Sequence, residues 1–201
     1  MRVRANRPVY TQKGEAMLSK PIIASILVSV SLLIGAVTFK DESKFILDNI
    51  SYYSLSEPAK KQVECLAENI YFEAGHEPHE GKLAVAMVTM NRVSTGNYGN
   101  DICGVVKQKV NGTCQFSWWC DASFTNRRLT IKHTPLYNEI RDLAVYVVMN
   151  YENITDVTKG ATYYHADYVN PGWPLPKTTQ IGRHIFYKKK SDYFHRKEFR
   201  I

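Results

Sequence analysis

Along residues 58–74, Val63, Leu66, Ala67, Ile70 and Ala74 recur at steps of three and four, so they share one face of a helix. Ser56-Glu57-Pro58 supplies a cap residue and a first-turn proline ahead of them, and Gly75 stands where a glycine commonly ends a helix. From 79 to 93 the pattern is apolar nearly all round through Leu83, Ala84, Val85, Ala86, Met87 and Val88, as in a buried central helix, with Met87 and Met90 read as core. Thr134-Pro135 caps a third helix, traced by Leu136, Ile140, Leu143, Ala144, Val147 and Tyr151.

Between these helices Asn111-Gly112 is a tight-turn signal beside CQFSWWC. Near the end, ATYYHADYVNPGWP and QIGRHIFYKK read as turn-rich strands. The fold class that follows is α+β, mainly helical. No internal repeat or low-complexity tract interrupts it.

At 201 residues the chain has room for one core and an appendage. Residues 22–39, IIASILVSVSLLIGAVTF, run eighteen positions without a charge, the lower limit for a membrane-crossing helix. Five basic groups (Arg2, Arg4, Arg7, Lys13, Lys20) precede that stretch, whereas Lys40, Asp41, Glu42 and Lys44 follow it with no net charge. The positive-inside rule therefore expects a basic cytoplasmic segment at 1–20, a transmembrane signal-anchor at 22–39, a tether at 40–57 and a folded domain at 58–201 beyond the membrane. A cleaved signal peptide starting at Met17 is the competing reading, although no clear A-x-A site follows Ala36.

The formal charge of +7 is concentrated at the two ends, +4 over residues 1–20 and +4 over 184–201, leaving −1 between them. Such tails suit anionic lipid, wall polymer or nucleic acid, but no nucleic-acid motif accompanies them and none is expected as a partner. Cys65, Cys103, Cys114 and Cys120 all follow the apolar stretch, so two disulfides in an oxidising compartment are expected. Four cysteines allow three pairings; the favoured one joins Cys114 to Cys120 and Cys65 to Cys103.

The chemistry concentrates in NIYFEAGHEPHEGKLAVAMVTMNRV, residues 69–93, where Glu73, Glu77 and Glu80 crowd one short loop between two helices. Glu73 falls on the flank of the apolar face, at the negative end of the helix dipole. Both placements disfavour its charged form, which suits a general acid. Glu64 and Glu68 point elsewhere and are expected in solvent. Glu77 and Glu80 are expected to bind loop backbone or to cap the next helix.

These residues resemble the SleB-type cell wall hydrolases, the spore cortex-lytic enzyme family, and its phage endolysin-like members. The resemblance continues in order through ICGVVKQK, CQFSWWCD, ATYYHADYVNP and QIGRHIFYKK, over roughly residues 60–188. It implies a lysozyme-like catalytic domain, in host lysis or wall remodelling, acting on the glycan strands of peptidoglycan with Glu73 as the catalytic acid. Gly75-His76 stands where the family often has Arg-Gly. The implied reaction protonates the bond between N-acetylmuramic acid and N-acetylglucosamine, after which the same carboxylate serves as base. If it takes the proton of the sugar's own C6 hydroxyl, a 1,6-anhydro product forms and one carboxylate suffices, as in a lytic transglycosylase. Muramidase-type hydrolysis usually needs a second carboxylate, and Asp101, Asp121 and Glu80 have no spacing that selects one.

The resemblance further implies substrate contacts from Gln115, Phe116, Ser117, Trp118, Tyr163, Asn170 and Trp173. Trp119 and Tyr164 offer further flat faces for sugar rings, while Tyr164 and His165 are placed to orient the acid or the reacting hydroxyl. A metal-dependent wall amidase is the rival enzyme, yet His76-Glu77 and His79-Glu80 lack the H-E-x-x-H spacing. No metal or cofactor is expected, and Ser117 lacks a nucleophile elbow. A non-catalytic wall-binding module is the remaining alternative.

Overall fold

The computed structural model describes residues 51–192. The basic segment 1–20, the expected anchor 22–39, the tether as far as residue 50 and the tail beyond 192 lie outside the described residues. Among the described residues, no helix is long and apolar enough to cross a membrane.

Tyr52 and Leu55 already pack on the core, ahead of the boundary read at residue 58. Helix α1, Glu57–Ala74, begins at Ser56, whose hydroxyl accepts from the Ala59 amide at 3.4 Å. Gly75 ends it, as its position in the sequence suggests, in a right-handed conformation (φ −56°, ψ −31°). The chain turns away because Glu77 precedes Pro78, and a residue before proline is pushed out of the helical region. Helix α2, His79–Thr95, buries Ala84, Val85, Ala86, Met87, Val88 and Met90, and ends at Gly96 in the left-handed region (φ 71°).

A single turn, α3 (Ile102–Val106), follows, capped by Asp101 onto the Gly104 amide at 2.6 Å. Strands β1 (Lys109–Val110) and β2 (Thr113–Cys114) pair through Asn111 (φ 52°) and Gly112 (φ 80°), the positive angles a tight hairpin requires. Helices α4 (Ser117–Cys120), α5 (Ser123–Ile131) and α6 (Pro135–Asn150) complete the helical layer, with the Thr134 hydroxyl capping α6 on Tyr137 N at 3.2 Å. Of these, α3, α4 and α5 carry no sequence signal: two are about one turn long, and α5 buries only Ile131. The expected disulfides both form, Cys65–Cys103 tying α1 to α3 and Cys114–Cys120 closing the turn that carries Trp118 and Trp119.

Helix α1 packs on α6, α2 and α3, and its Val63, Leu66, Ala67 and Ile70 are fully buried. A three-stranded antiparallel sheet, β3 (Tyr163–Ala166), β5 (His184–Tyr187) and β4 (Lys177–Ile181) in spatial order, sits against α2 through Phe186, Ala161, Ala84 and Val88. The register pairs Tyr164 with Phe186 and Ala166 with His184, so these four share one face; Tyr163, His165, Ile185 and Tyr187 occupy the other.

Two polar residues near the end of α2 fix where β3 enters. The Asn91 amide donates to Asp156 Oδ2 at 2.9 Å and to the Ala161 carbonyl at 3.0 Å, and Tyr151 Oη donates back to Asn91 at 3.1 Å. Arg92 Nε donates to the Thr162 carbonyl at 2.7 Å, and the Thr162 and Tyr98 hydroxyls both donate to buried Asp192, at 2.6 and 2.7 Å.

Candidate active site

Glu73 lies in the last turn of α1, where helical phase turns it from Glu64 and Glu68 toward the sheet. Tyr164 is the first residue of β3 to point at the helices, and its hydroxyl donates to Glu73 Oε2 at 3.0 Å. Glu73 is half-buried: protein surrounds the carboxyl while part of the residue stays accessible.

Burial raises the pKa of Glu73 above the ordinary glutamate range; the Tyr164 hydrogen bond and the Arg92 charge oppose the rise without cancelling it. Burial and the neighbouring carboxyl push Tyr164 well above its usual value, so the phenol keeps its proton and remains the donor. A carboxyl with a raised pKa that accepts from a neutral donor has the features a general acid needs: a proton held more tightly than usual and a partner that stabilises the carboxylate left behind.

Behind Tyr164, the His184 ring meets it edge-on at 5.2 Å, and Phe186 lies at 5.8 Å. Burial lowers the His184 pKa, keeping that wall neutral. Arg92 completes the site. Its guanidinium lies 5.1 Å from the Phe116 ring, 5.3 Å from Tyr98 and 5.8 Å from Tyr163, and Nη1 has no hydrogen-bond partner among the described residues. Sequence reading passed over Arg92; its signal was a charge at a buried position of an otherwise apolar helix.

Tyr164 alone of the expected orienting pair touches the acid. His165, one residue on, faces the opposite side of the sheet, where Nε2 lies 3.0 Å from Tyr187 Oη and Nδ1 2.8 Å from the Ala166 carbonyl. Strand alternation separates the two. Tyr163, His165, Tyr187 and Trp173 form an aromatic cluster on that outer face, where Trp173 is 39% exposed.

Phe116 and Trp118 are buried and present no face to a sugar. Trp118 stacks on Phe72 at 4.8 Å, and its Nε1 donates to Asn69, whose amide in turn donates to Thr89. Gln115, Ser117 and Asn170 are exposed, with Asn170 Oδ1 accepting from the Gly172 amide at 3.2 Å. Trp119 is half-buried.

Glu77 does not cap α2. Its Oε2 accepts from the Arg183 amide at 3.2 Å beside Gly182, pinning the α1–α2 loop to the β4–β5 turn, where any side chain at position 182 would strike the carboxylate. Glu80 stays exposed in the first turn of α2. The expected solvation of Glu64 and Glu68 is overturned: Glu68 is 6% exposed and paired with Arg128 at 2.9 Å and Lys132 at 3.3 Å. Glu64 takes Lys132 and the Tyr137 hydroxyl, each at 2.8 Å. Cations from α5 and its end, absent from a view of α1 alone, draw both inward. Among the described residues, no three His, Cys, Asp or Glu side chains are grouped to hold a metal ion.

Residues 76–187, more than half of the chain, match the family model described as Cell Wall Hydrolase; the match begins three residues after Glu73. The spore cortex-lytic enzyme of Oceanobacillus iheyensis is 29% identical over 134 residues, covering 65% of this chain and 42% of that protein. Its counterpart in Bacillus subtilis is 27% identical over 135 residues, covering 64% and 38%. The chain thus spans about two-fifths of the length of these curated relatives. The solved catalytic domain of the germination-specific lytic transglycosylase SleB from Bacillus anthracis is 24% identical, covering 67% of this chain and 98% of that one, with a TM-score of 0.48.

Proposed function

The chain belongs to the cell wall hydrolase family, and from that premise we propose that it cleaves the glycan strands of peptidoglycan as a lytic transglycosylase with Glu73 as its single catalytic carboxylate. The observation that carries this reading is the half-buried Glu73 carboxyl, raised in pKa by burial and held by the Tyr164 hydroxyl at 3.0 Å.

In the proposed reaction Glu73 gives its proton to the oxygen linking N-acetylmuramic acid to N-acetylglucosamine. The bond from that oxygen to the muramic C1 breaks, leaving an oxocarbenium-like centre and a Glu73 carboxylate that accepts the Tyr164 hydrogen bond. The carboxylate then takes the proton of the muramic C6 hydroxyl, whose oxygen closes on C1. The sugar becomes its 1,6-anhydro form, the acid is regenerated, and no water is consumed.

Two of the candidate second carboxylates are held by local hydrogen bonds and the third faces solvent, which favours one-carboxylate chemistry. Asp101 caps α3, Asp121 accepts from the Ser123 amide at 2.8 Å, and Glu80 is exposed. The curated relatives are named spore cortex-lytic enzymes, which favours a wall substrate, and the disulfides favour work in an oxidising compartment outside the cytoplasm.

Digestion of purified peptidoglycan by the full chain, with product masses read at the muramic end, tests the proposal. Anhydro ends lighter by one water are expected; ordinary reducing ends would reject transglycosylation in favour of hydrolysis.

A further inference from the structure

Arg92 of α2 is 5% exposed, yet no carboxylate pairs with it among the described residues. Burying a guanidinium without an anion costs free energy that hydrogen bonds and ring faces offset only in part. Nε donates to the Thr162 carbonyl at 2.7 Å, and the Phe116, Tyr98 and Tyr163 rings lie 5.1, 5.3 and 5.8 Å from the guanidinium carbon. Nη1 is left buried with no hydrogen-bond partner among the described residues.

Asp192, beyond Tyr98 and Thr162, does not supply the missing anion, because it accepts from both of their hydroxyls. The groups whose charge bears on Arg92 are the phenols of Tyr164, Tyr98 and Tyr163 and one carboxyl, that of Glu73. Burial holds Tyr164 and Tyr98 above the usual phenol range, so both stay neutral. Burial lowers the guanidinium's own pKa, but from a value so high that the group remains a cation at neutral pH. While Glu73 keeps the proton that burial favours, nothing balances this cation. Once the proton leaves, two opposite charges share one buried site.

We propose that Arg92 is a positioning residue for the acid: its buried, unpaired guanidinium is the counter-charge for the carboxylate that Glu73 becomes when its proton leaves. This role rests on the one proposed for Glu73. An interaction made only after proton transfer lowers the barrier without tightening substrate binding, so its loss falls on kcat and leaves KM. Through Nε the same side chain holds the Thr162 carbonyl, two residues before Tyr164, whose hydroxyl meets the acid. One residue thus sets both the charge near Glu73 and the path of the strand that carries its donor. The groups acting on the carboxyl are Tyr164 from β3 and Arg92 from α2, a neutral donor and a cation, and both oppose the upward push of burial.

Two variants separate the charge from the anchor. Arg92→Gln removes the charge and leaves an amide nitrogen as many bonds from the backbone as Nε, placed to donate to the Thr162 carbonyl. Arg92→Lys keeps the charge and removes Nε. The full chain and both variants are assayed on purified peptidoglycan for kcat and KM across pH. In each, the Glu73 carboxyl is titrated by carbon NMR, its signal identified by its absence from Glu73→Gln. Arg92→Gln is expected to lower kcat about tenfold with KM unchanged, and to move both the Glu73 titration and the alkaline limb of activity to higher pH. Arg92→Lys should stay close to the wild type in both readings. An unmoved titration in Arg92→Gln overturns the inference, as does a loss of activity in Arg92→Lys with none in Arg92→Gln, the pattern of a purely structural anchor. Should Arg92→Gln not fold, Arg92→Lys decides: a wild-type titration supports the inference, and one moved to higher pH overturns it. Full activity in Glu73→Gln overturns the acid, and the positioning role with it, even where the titration responds to Arg92. An inactive Glu73→Gln beside an unmoved titration overturns the role of Arg92 alone.

Discussion

Replacing Tyr164 with Phe removes one hydroxyl and keeps the ring that packs against His184 and Phe186. The lost interaction is the 3.0 Å hydrogen bond to Glu73 Oε2. Before reaction that bond meets a neutral acid; in the transition state it meets a developing carboxylate and strengthens, so its loss falls on kcat rather than KM. A hydrogen bond to a charged group is worth about 1.5–3 kcal/mol, and about 1.36 kcal/mol corresponds to a decade in rate, so kcat should fall about 10- to 100-fold. The same bond holds the Glu73 pKa down against burial, and without it that pKa rises further. Activity that needs protonated Glu73 is lost as pH rises through this pKa, so the alkaline limb of the variant's profile should move to higher pH. Turnover of purified peptidoglycan across pH, fitted for kcat and KM at each point, reads both effects. An unchanged kcat, or a limb moved to lower pH, would refute the coupling of Tyr164 to the acid.

Glu73→Gln should abolish cleavage while preserving the fold, because Gln keeps the side chain's size and an oxygen for Tyr164. With a folded pKa above its unfolded value, Glu73 contributes stability that is fully present below the ordinary glutamate range and falls as pH rises toward the raised value. Chemical denaturation across that window should therefore show a flatter pH dependence in Glu73→Gln than in the wild type. Loss of Cys65–Cys103, which spans 38 residues, should cost about 4 kcal/mol by loop entropy, against about 2 for Cys114–Cys120, which spans 6. Paired Cys→Ser variants compared in denaturant check that ranking, and the reverse order would contradict it. Asn69→Ala should cost about 1–3 kcal/mol by leaving the buried Trp118 Nε1 without its acceptor, while the Thr89 hydroxyl keeps its bond to the Val85 carbonyl. Denaturation should show this loss, accompanied by a changed Trp fluorescence spectrum.

Much of this protein follows from local pattern. The three long helices, the Thr134 cap and the Asn111-Gly112 hairpin are set by propensities and periodicities that act over a few residues, so a linear reading reaches them. The ranking of Glu73 above its neighbours has the same origin, since position on the apolar flank of α1 and at its dipole's negative end is a property of that helix alone. Local reading failed where the deciding group lay far along the chain. Glu64 and Glu68 read as solvent-facing because the cations that bury them, Arg128 and Lys132, come some 60 residues later. Trp118 read as a sugar platform because Phe72 and Asn69, which cover it, belong to another helix.

Sequence alone singled out Glu73 as the carboxylate proposed to act as the acid. Tertiary structure decided which residues touch that acid. Tyr164 and His165 are adjacent in the chain, and only their pairing in register with β5 sends the first to Glu73, 91 residues away, and the second to Tyr187. That register depends in part on Asn91 and Arg92 gripping the chain as it enters β3. These long-range contacts form together when α2 and the sheet pack; no stretch of a few residues contains both partners.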